Sequence, residues 1–404
     1  MLLGLLKNEF IKLFAKKKTY IIWGLFILLC VMLVIVSESS ERNYLKYSSP
    51  KAQVENLTNE LANQETYLKS IQNDASLSEE DKKVNEEQAG IYIESLKEQL
   101  ESAKASLENS TKMDWKGELE ARIKEQQKTV DSISDTDARK DQTRELERLK
   151  LHLANNVPLD AENYNTGINY YVLNVIMIAA SFLAIGLTLF NGDNVSNEYN
   201  PGTLKFLLVQ PVSRIKVLLS KYIVMVLSST ALIMVTQLLF FLGVGVIKGF
   251  GNFNRPYLVG LKYEYAYQNG QKYITEVSGS GHYIFLWQYL LEALALQLLF
   301  LIVIVTFVLL ISTISKSSVV TMTVLICAIL GGNIVYNLST TYRKISPFIF
   351  LHYSNIEDII TGRIVMRTGS FLFTWQTVAG MSALTAFLFL GISLWVFKKR
   401  DIQI

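Results

Sequence analysis

The sequence predicts an all-α membrane protein with six transmembrane helices and an extracytoplasmic helical, coiled-coil domain inserted between the first two. Three observations carry this reading. Six apolar runs approach bilayer thickness. About 130 charged residues, with prolines only near their margins, separate the first run from the second. Basic residues gather at both termini and in the loop after the second run.

Lipid offers no partner for backbone polar groups, so only helices or closed barrels cross it. At about 1.5 Å rise per residue, roughly 20 apolar residues span a hydrocarbon core of about 30 Å. The runs are Tyr20–Val36, Tyr170–Phe190, Tyr222–Ile247, Phe285–Ile311, Val319–Leu338 and Thr374–Phe397, and none contains proline. Their length argues against core helices of a soluble protein. Trp23, Trp287, Trp375 and Trp395 lie near run ends, where an amphipathic ring suits the headgroup layer. The first run also resembles a signal peptide, because Lys16, Lys17 and Lys18 precede it. Val36-Ser37-Glu38-Ser39 is a poor cleavage site, so an uncleaved anchor is expected. The expected boundaries are a first transmembrane helix at 19–37, the inserted domain at 38–168, and helices two to six in 169–404 with a cytoplasmic loop at 191–221.

Charge sets the orientation. Lys7, Lys12, Lys16, Lys17 and Lys18, then Lys205, Arg214, Lys216 and Lys221, then Lys316, then Lys398, Lys399 and Arg400 fall on one side of a six-span chain. That side is expected to be cytoplasmic, with both termini inside the cytoplasmic membrane. The opposite loops also carry basic residues, so the two termini bear most of this argument. The formal charge of +3 conceals an asymmetry: residues 38–168 hold 18 Lys+Arg against 27 Asp+Glu, leaving 21 against 9 elsewhere. The basic part reads as anchors at an anionic lipid surface. No basic-aromatic motif points to nucleic acid.

Within the insertion, apolar residues recur at heptad-like spacing with charged flanks. Val54, Leu57, Leu61, Leu68 and Ile71 form one seam, and Ala89, Ile93, Leu96, Leu100, Ala103 and Leu107 a second. Looser sets are Trp115, Leu119, Ile123, Val130 and Ile133, then Leu146, Leu149 and Leu153. Breaks are expected at 73–78, 109–114 and 134–137, with Ser78 and Asp81 forming a loose capping box. Antiparallel helical hairpins follow. Two readings of their role stay open: a solvated spacer, or a receptor or cap over a translocation path.

Several chemistries have no sequence support. Cys30 and Cys327 both lie in apolar runs and read as small packed residues. His152, His282 and His352 lack metal-ligand spacing. Gly279-Ser280-Gly281 reads as a loop. No G-x-x-x-x-G-K-[ST] phosphate loop and no nucleophile motif occurs. If the chain takes part in ATP-driven transport, a separate polypeptide must bind ATP and Mg and hydrolyse the nucleotide, with no cofactor in this chain.

The loop after the second run carries the strongest local signal. Pro201-Gly202 makes a turn, Thr203 can cap a helix, and Pro211 stops it. Leu204, Leu207 and Leu208 then share one face. Such a face either docks into a partner or lies on the membrane surface. The run Glu198-x-x-x-Gly202-Thr203-Leu204-Lys205-Phe206-Leu207-Leu208, with Pro211-Val212-Ser213-Arg214 and Lys221-Tyr222, resembles the signature of type-2 ABC exporter permeases. The ending Phe397-Lys398-Lys399-Arg400-Asp401-Ile402 is similar to theirs, as is the amphipathic stretch within 1–18, which would form an elbow helix along the inner surface. The insertion at 38–168 departs from compact family members. The resemblance implies a cytoplasmic ABC ATPase partner, a second permease copy or related permease, and coupling through Glu198, Gly202, Thr203, Leu204, Leu207 and Leu208, with Arg214 as a contact or lipid anchor.

Proline disfavours helix at the residue before it, so Pro347 predicts a chain break at Ser346. The resemblance implies short re-entrant helices there, with Pro347 and Phe348 at an exterior gate; an ordinary surface helix is the alternative. Glu292 lies in the fourth run, where a carboxylate must face protein or water or be protonated. Glu292, Gln297 and Asn333 are candidate linings of a translocation path, with interhelical hydrogen bonding as the plainer reading of the amides. Together these features predict a permease subunit of an ATP-driven exporter for an amphipathic or hydrophobic substrate such as an antimicrobial peptide or drug. Ion or polymer export by the same scaffold, and a non-transporting receptor with a coiled-coil sensor, remain as rivals.

Overall fold

The computed structural model describes residues 2–73, 78–112, 115–198 and 213–399. These form two compact units, one of residues 1–34 and 166–404 and the other of residues 35–165.

The first unit is a bundle of long apolar helices. Its first elements are α1 (Leu2–Phe14) and the start of α2 (Lys17–Asn43). Helices α10 (Leu286–Ile314), α11 (Ser318–Leu338) and α15 (Trp375–Lys399) follow the expected runs closely, and α9 (Arg214–Lys248) starts eight residues before its expected run. Among the described residues, these four and α2 with its continuation to Ser48 are long and apolar enough to cross a membrane. The second run behaves differently. It breaks at Phe182 into α7 (Gly167–Ser181) and α8 (Leu183–Asn191), and the two halves bend by 64°. Counted as one span, this pair raises the total to six. At the break the Phe182 ring fills the space over Gly186, where a Cβ would collide with it. Helix α10 is the centre of the bundle: Leu286, Tyr289, Ala293, Leu301, Ile304, Val305, Val308 and Leu309 are all buried. Exposed apolar residues cover the outer helices, as at Phe387 and Val319, which suits lipid rather than water.

The chain is mostly helical, as the all-α expectation has it, but one loop adds strands. Between α9 and α10 lie four short strands: β1 (Pro256–Val259), β2 (Tyr263–Gln268), β3 (Gln271–Glu276) and β4 (His282–Phe285). β1 pairs antiparallel with β4, and β2 with β3. The β2–β3 turn is Asn269-Gly270, with φ of 51° and 76°. Both values are positive, as a two-residue hairpin turn of the mirror-image type requires. The ribbon loop docks on α13 (Ile356–Thr361): Leu261 donates its backbone N–H to Thr361 (2.8 Å) and Gly260 to Ile360 (3.1 Å). Gly362 closes that contact at φ 88°; a Cβ there would strike the Leu261 carbonyl.

After α11 the chain runs through α12 (Thr340–Ile345), two 3-10 turns, α13 and α14 (Ile364–Thr368) before α15. Helix α12 ends at Ile345, next to the expected break, but Ser346 keeps right-handed helical angles (φ −58°, ψ −25°) and opens a 3-10 turn, so the steric effect expected of Pro347 on the residue before it is not seen.

The second unit is helical. Its helices are α3 (Pro50–Asn73), α4 (Glu79–Lys112), α5 (Trp115–Ser132) and α6 (Thr136–Ala154), packed as α3 on α4 and α5 on α6. The break between α5 and α6 falls at 133–135, close to the expected 134–137, while α4 stays helical through 112 and residues 74–77 and 113–114 lie outside the described residues. Ser78 accepts from the Asp81 backbone N–H (3.1 Å) and donates to its carboxylate (2.5 Å). Asp135 caps α6, accepting from Asp137 and Ala138 N–H, which holds its carboxyl below the usual range. Ile71, Ala89, Ile93, Leu96 and Leu100 are buried between α3 and α4, and Leu119, Val130, Leu146 and Leu149 between α5 and α6.

Candidate functional site

The site starts from the packing of α1. Leu5, Glu9 and Leu13 recur at four-residue intervals and are buried, whereas Leu3, Ile11 and Phe14 stay exposed. Residues four apart lie on one helix face, so Glu9 is carried inward with its apolar neighbours. That face packs on the first turns of α9 and brings Glu9 to Lys221. Thr19 at the start of α2 donates to the Leu13 carbonyl (2.6 Å) and fixes the corner between the two helices.

The turn after α8 supplies the third wall. Ser312 near the end of α10 accepts from the Val195 (3.3 Å) and Ser196 (3.0 Å) backbone N–H groups and donates to the Gly192 carbonyl (3.1 Å). The Ser196 hydroxyl reaches Ser318 at the start of α11 (3.3 Å). These bonds clamp the chain immediately before Glu198, the last described residue before 199–212.

Lys221 donates to Glu9 Oε2 and to Glu198 Oε1, both at 2.7 Å, with 1% of its side chain exposed. Lys12 reaches the same two carboxylates at 3.3 and 3.2 Å. Burial disfavours the Lys12 ammonium, but Glu198 and Glu9 outweigh it and hold the group above the ordinary lysine value. Lys16 and Lys18 both hold Asp193, at 3.2 and 2.5 Å. All of these groups except Lys18 border a cavity of about 370 Å³. Three chain segments far apart in sequence are thus joined by charge-assisted hydrogen bonds, which run roughly twice as strong as neutral ones. The cluster holds α1, the turn after α8 and α9 together.

Of the coupling residues predicted from sequence, Glu198 and Arg214 are described. Arg214 opens α9 and donates to the Lys398 carbonyl at the end of α15 (3.4 Å). Gly202, Thr203, Leu204, Leu207 and Leu208 lie outside the described residues. The path candidates do not converge. Gln297 is fully buried in α10, and neither of its amide atoms has a hydrogen-bond partner among the described residues. Glu292 and Asn333 are exposed on α10 and α11. No hydrogen bond or ion pair joins the three among the described residues. Pro347 is buried and its carbonyl accepts from Tyr353 (2.6 Å), while the Phe348 ring is exposed.

Sequence reasoning passed over Glu9, Asp193 and the role of Lys221. A signal existed for Glu9, which is the one acidic residue in α1 and sits on its buried face.

The family model for ABC-2 family transporter protein matches residues 3–402, and the chain belongs to that family. It is therefore a multi-pass membrane permease of an ABC transporter, a transport subunit whose family implies an ATPase partner. It is similar to the uncharacterized protein YhcI of Bacillus subtilis (strain 168), at 24% identity over 292 residues covering 71% of this chain and 84% of that protein. No solved structure matches.

Proposed function

We propose that this chain is the permease of an ATP-driven exporter that moves an amphipathic or hydrophobic substrate outward across the cytoplasmic membrane. It spans the membrane six times with both termini inside, and two permeases, identical or related, work with a pair of ATPases. Residues 38–168 stand outside the membrane as a helical domain.

The observation that carries this reading is the Glu9–Lys221–Glu198 tie. It fastens α1 and the base of α9 to the two ends of the segment that holds Gly202, Thr203, Leu204, Leu207 and Leu208. A partner that moved this segment would move both helices with it, because buried ion pairs resist separation once formed. The motor supplies ATP hydrolysis; this chain supplies the lever. Burying the leucines in a groove on the motor would contribute roughly 1.5–3 kcal/mol each before ordering costs. Glu292, Gln297 and Asn333 serve as polar groups of the path, with Pro347 and Phe348 at its outer gate.

The test uses the permease with its ATPase in proteoliposomes. Leu204→Asp and Leu208→Asp should insert normally yet lose co-purification with the ATPase and its stimulation. Retention of both properties in both variants overturns the assignment.

A further inference from the structure

We propose that the cavity between the β2–β3 ribbon and α12–α14 binds the phosphate group of an anionic phospholipid. Its location relative to the membrane rests on the span assignment above.

The cavity holds about 420 Å³ and is lined by Tyr265, Lys272, Tyr273, Lys344 and Met366 among others. Two ammonium groups border it, and no carboxylate does. The Lys272 Nζ lies 3.5 Å from the centre of the Tyr265 ring. Neither lysine forms an ion pair among the described residues, whereas the nearby Asp358 is held by Arg367 at 2.9 Å. The charge here is left uncompensated and open, so an anion is the complementary ligand. Lysine binds phosphate as a point charge, and the tyrosine hydroxyls add donors.

The surroundings select a lipid over a soluble anion. Lys344 lies on α12, just after α11 ends at Leu338, and Gly369 lies just before α15 begins at Trp375. The cavity is therefore level with the ends of two spans, where headgroups lie. Met366 in its lining is 60% exposed, and the same segments carry further exposed apolar side chains, Leu372 at 58% and Ile345, next to Lys344, at 50%. Phe371 packs edge-on against Tyr265 at 4.9 Å and continues that surface. Cations beside exposed apolar groups match a phosphate joined to acyl chains.

Native mass spectrometry of the full-length chain in detergent, given equimolar phosphatidylglycerol and phosphatidylcholine, tests this. Phosphatidylglycerol adducts should dominate. Each basic residue near an anionic lipid surface contributes enough that Lys272→Glu with Lys344→Glu should weaken the adduct at least about tenfold. Lys272→Gln with Lys344→Gln, a milder pair that preserves size and polarity, should weaken it in the same direction. Lys104→Glu in α4 should leave it unchanged. Equal retention of the two lipids, or undiminished binding in both double variants, overturns the proposal. So does full displacement by inorganic phosphate, which would mark a soluble-anion site. Orientation is read separately, by labelling Lys344→Cys in a Cys327→Ala background with an impermeant maleimide on intact cells. Absence of labelling there refutes the outward placement under the proposed function, while the lipid experiment still decides the site.

Discussion

Lys221 and Arg122 each sit 2.7 Å from a glutamate, yet 1% of the Lys221 side chain is exposed against 54% of Arg122. The first belongs to the tie in the membrane bundle, the second to a row of helix-surface pairs in the 35–165 unit. Lys140–Asp137 and Arg148–Glu145 are further members of that row, three residues apart on one helix. The two regions teach that ion-pair geometry alone says little about mechanical importance. In water, an exposed pair exchanges one set of hydrogen bonds for another and is worth about 0–1 kcal/mol. In the cluster around Lys221 the polar cavity beside it can replace a lost partner only in part, because 1% of the Lys221 side chain is exposed, so removing that charge leaves its carboxylates under-compensated.

The largest expected effect tests the buried side of this contrast. Lys221→Met leaves Glu9 and Glu198 buried with only Lys12 beside them, and should cost about 3–5 kcal/mol of stability. Adding Glu9→Gln and Glu198→Gln should restore much of that, since a neutral cluster strands no charge. Thermal unfolding of the detergent-solubilised protein measures both; an unchanged melting temperature for Lys221→Met alone would mean the cluster bears no load.

A second buried group sharpens the comparison through pH. His352 lies between the Tyr336 ring (4.6 Å between ring centres) and the Tyr342 ring, and burial pushes its pKa down to about 4. The unfolded chain takes up a proton near pH 6.5 while the folded chain does not. Stability is therefore complete above pH 6.5 and falls as pH drops toward 4, by up to about 3 kcal/mol. His352→Gln should flatten that portion of the stability curve; an identical acid profile would contradict the argument. The smallest effect lies on the exposed side: Arg122→Ala should change stability by less than about 0.5 kcal/mol in the same assay.

How far the sequence could be read varied with how local the cause was. Helix limits in the 35–165 unit were legible because Ser78 and Asp135 act on backbone groups two or three residues away. Three long helices, α10, α11 and α15, were legible within a few residues because hydropathy and bilayer thickness set them together, whereas α2 and α9 run on well beyond their apolar runs. The β2–β3 hairpin was missed although Asn269-Gly270 and the alternation Tyr263-Glu264-Tyr265-Ala266-Tyr267 announced it. The break at Phe182 carries neither proline nor a glycine pair, so its apolar sequence read as one continuous helix.

By itself the sequence determined that the chain carries long apolar segments suited to lipid, roughly where they lie, and that it holds no G-x-x-x-x-G-K-[ST] run. Those properties follow from composition and from neighbours along the chain. Only the tertiary structure decided that Glu9, Glu198 and Lys221 share one buried cluster, and that Lys272 meets Lys344 across an open cavity. Hydropathy marks which residues avoid water. The pairing of a charge with its partner depends on which helix faces meet, and nothing local to either residue encodes that.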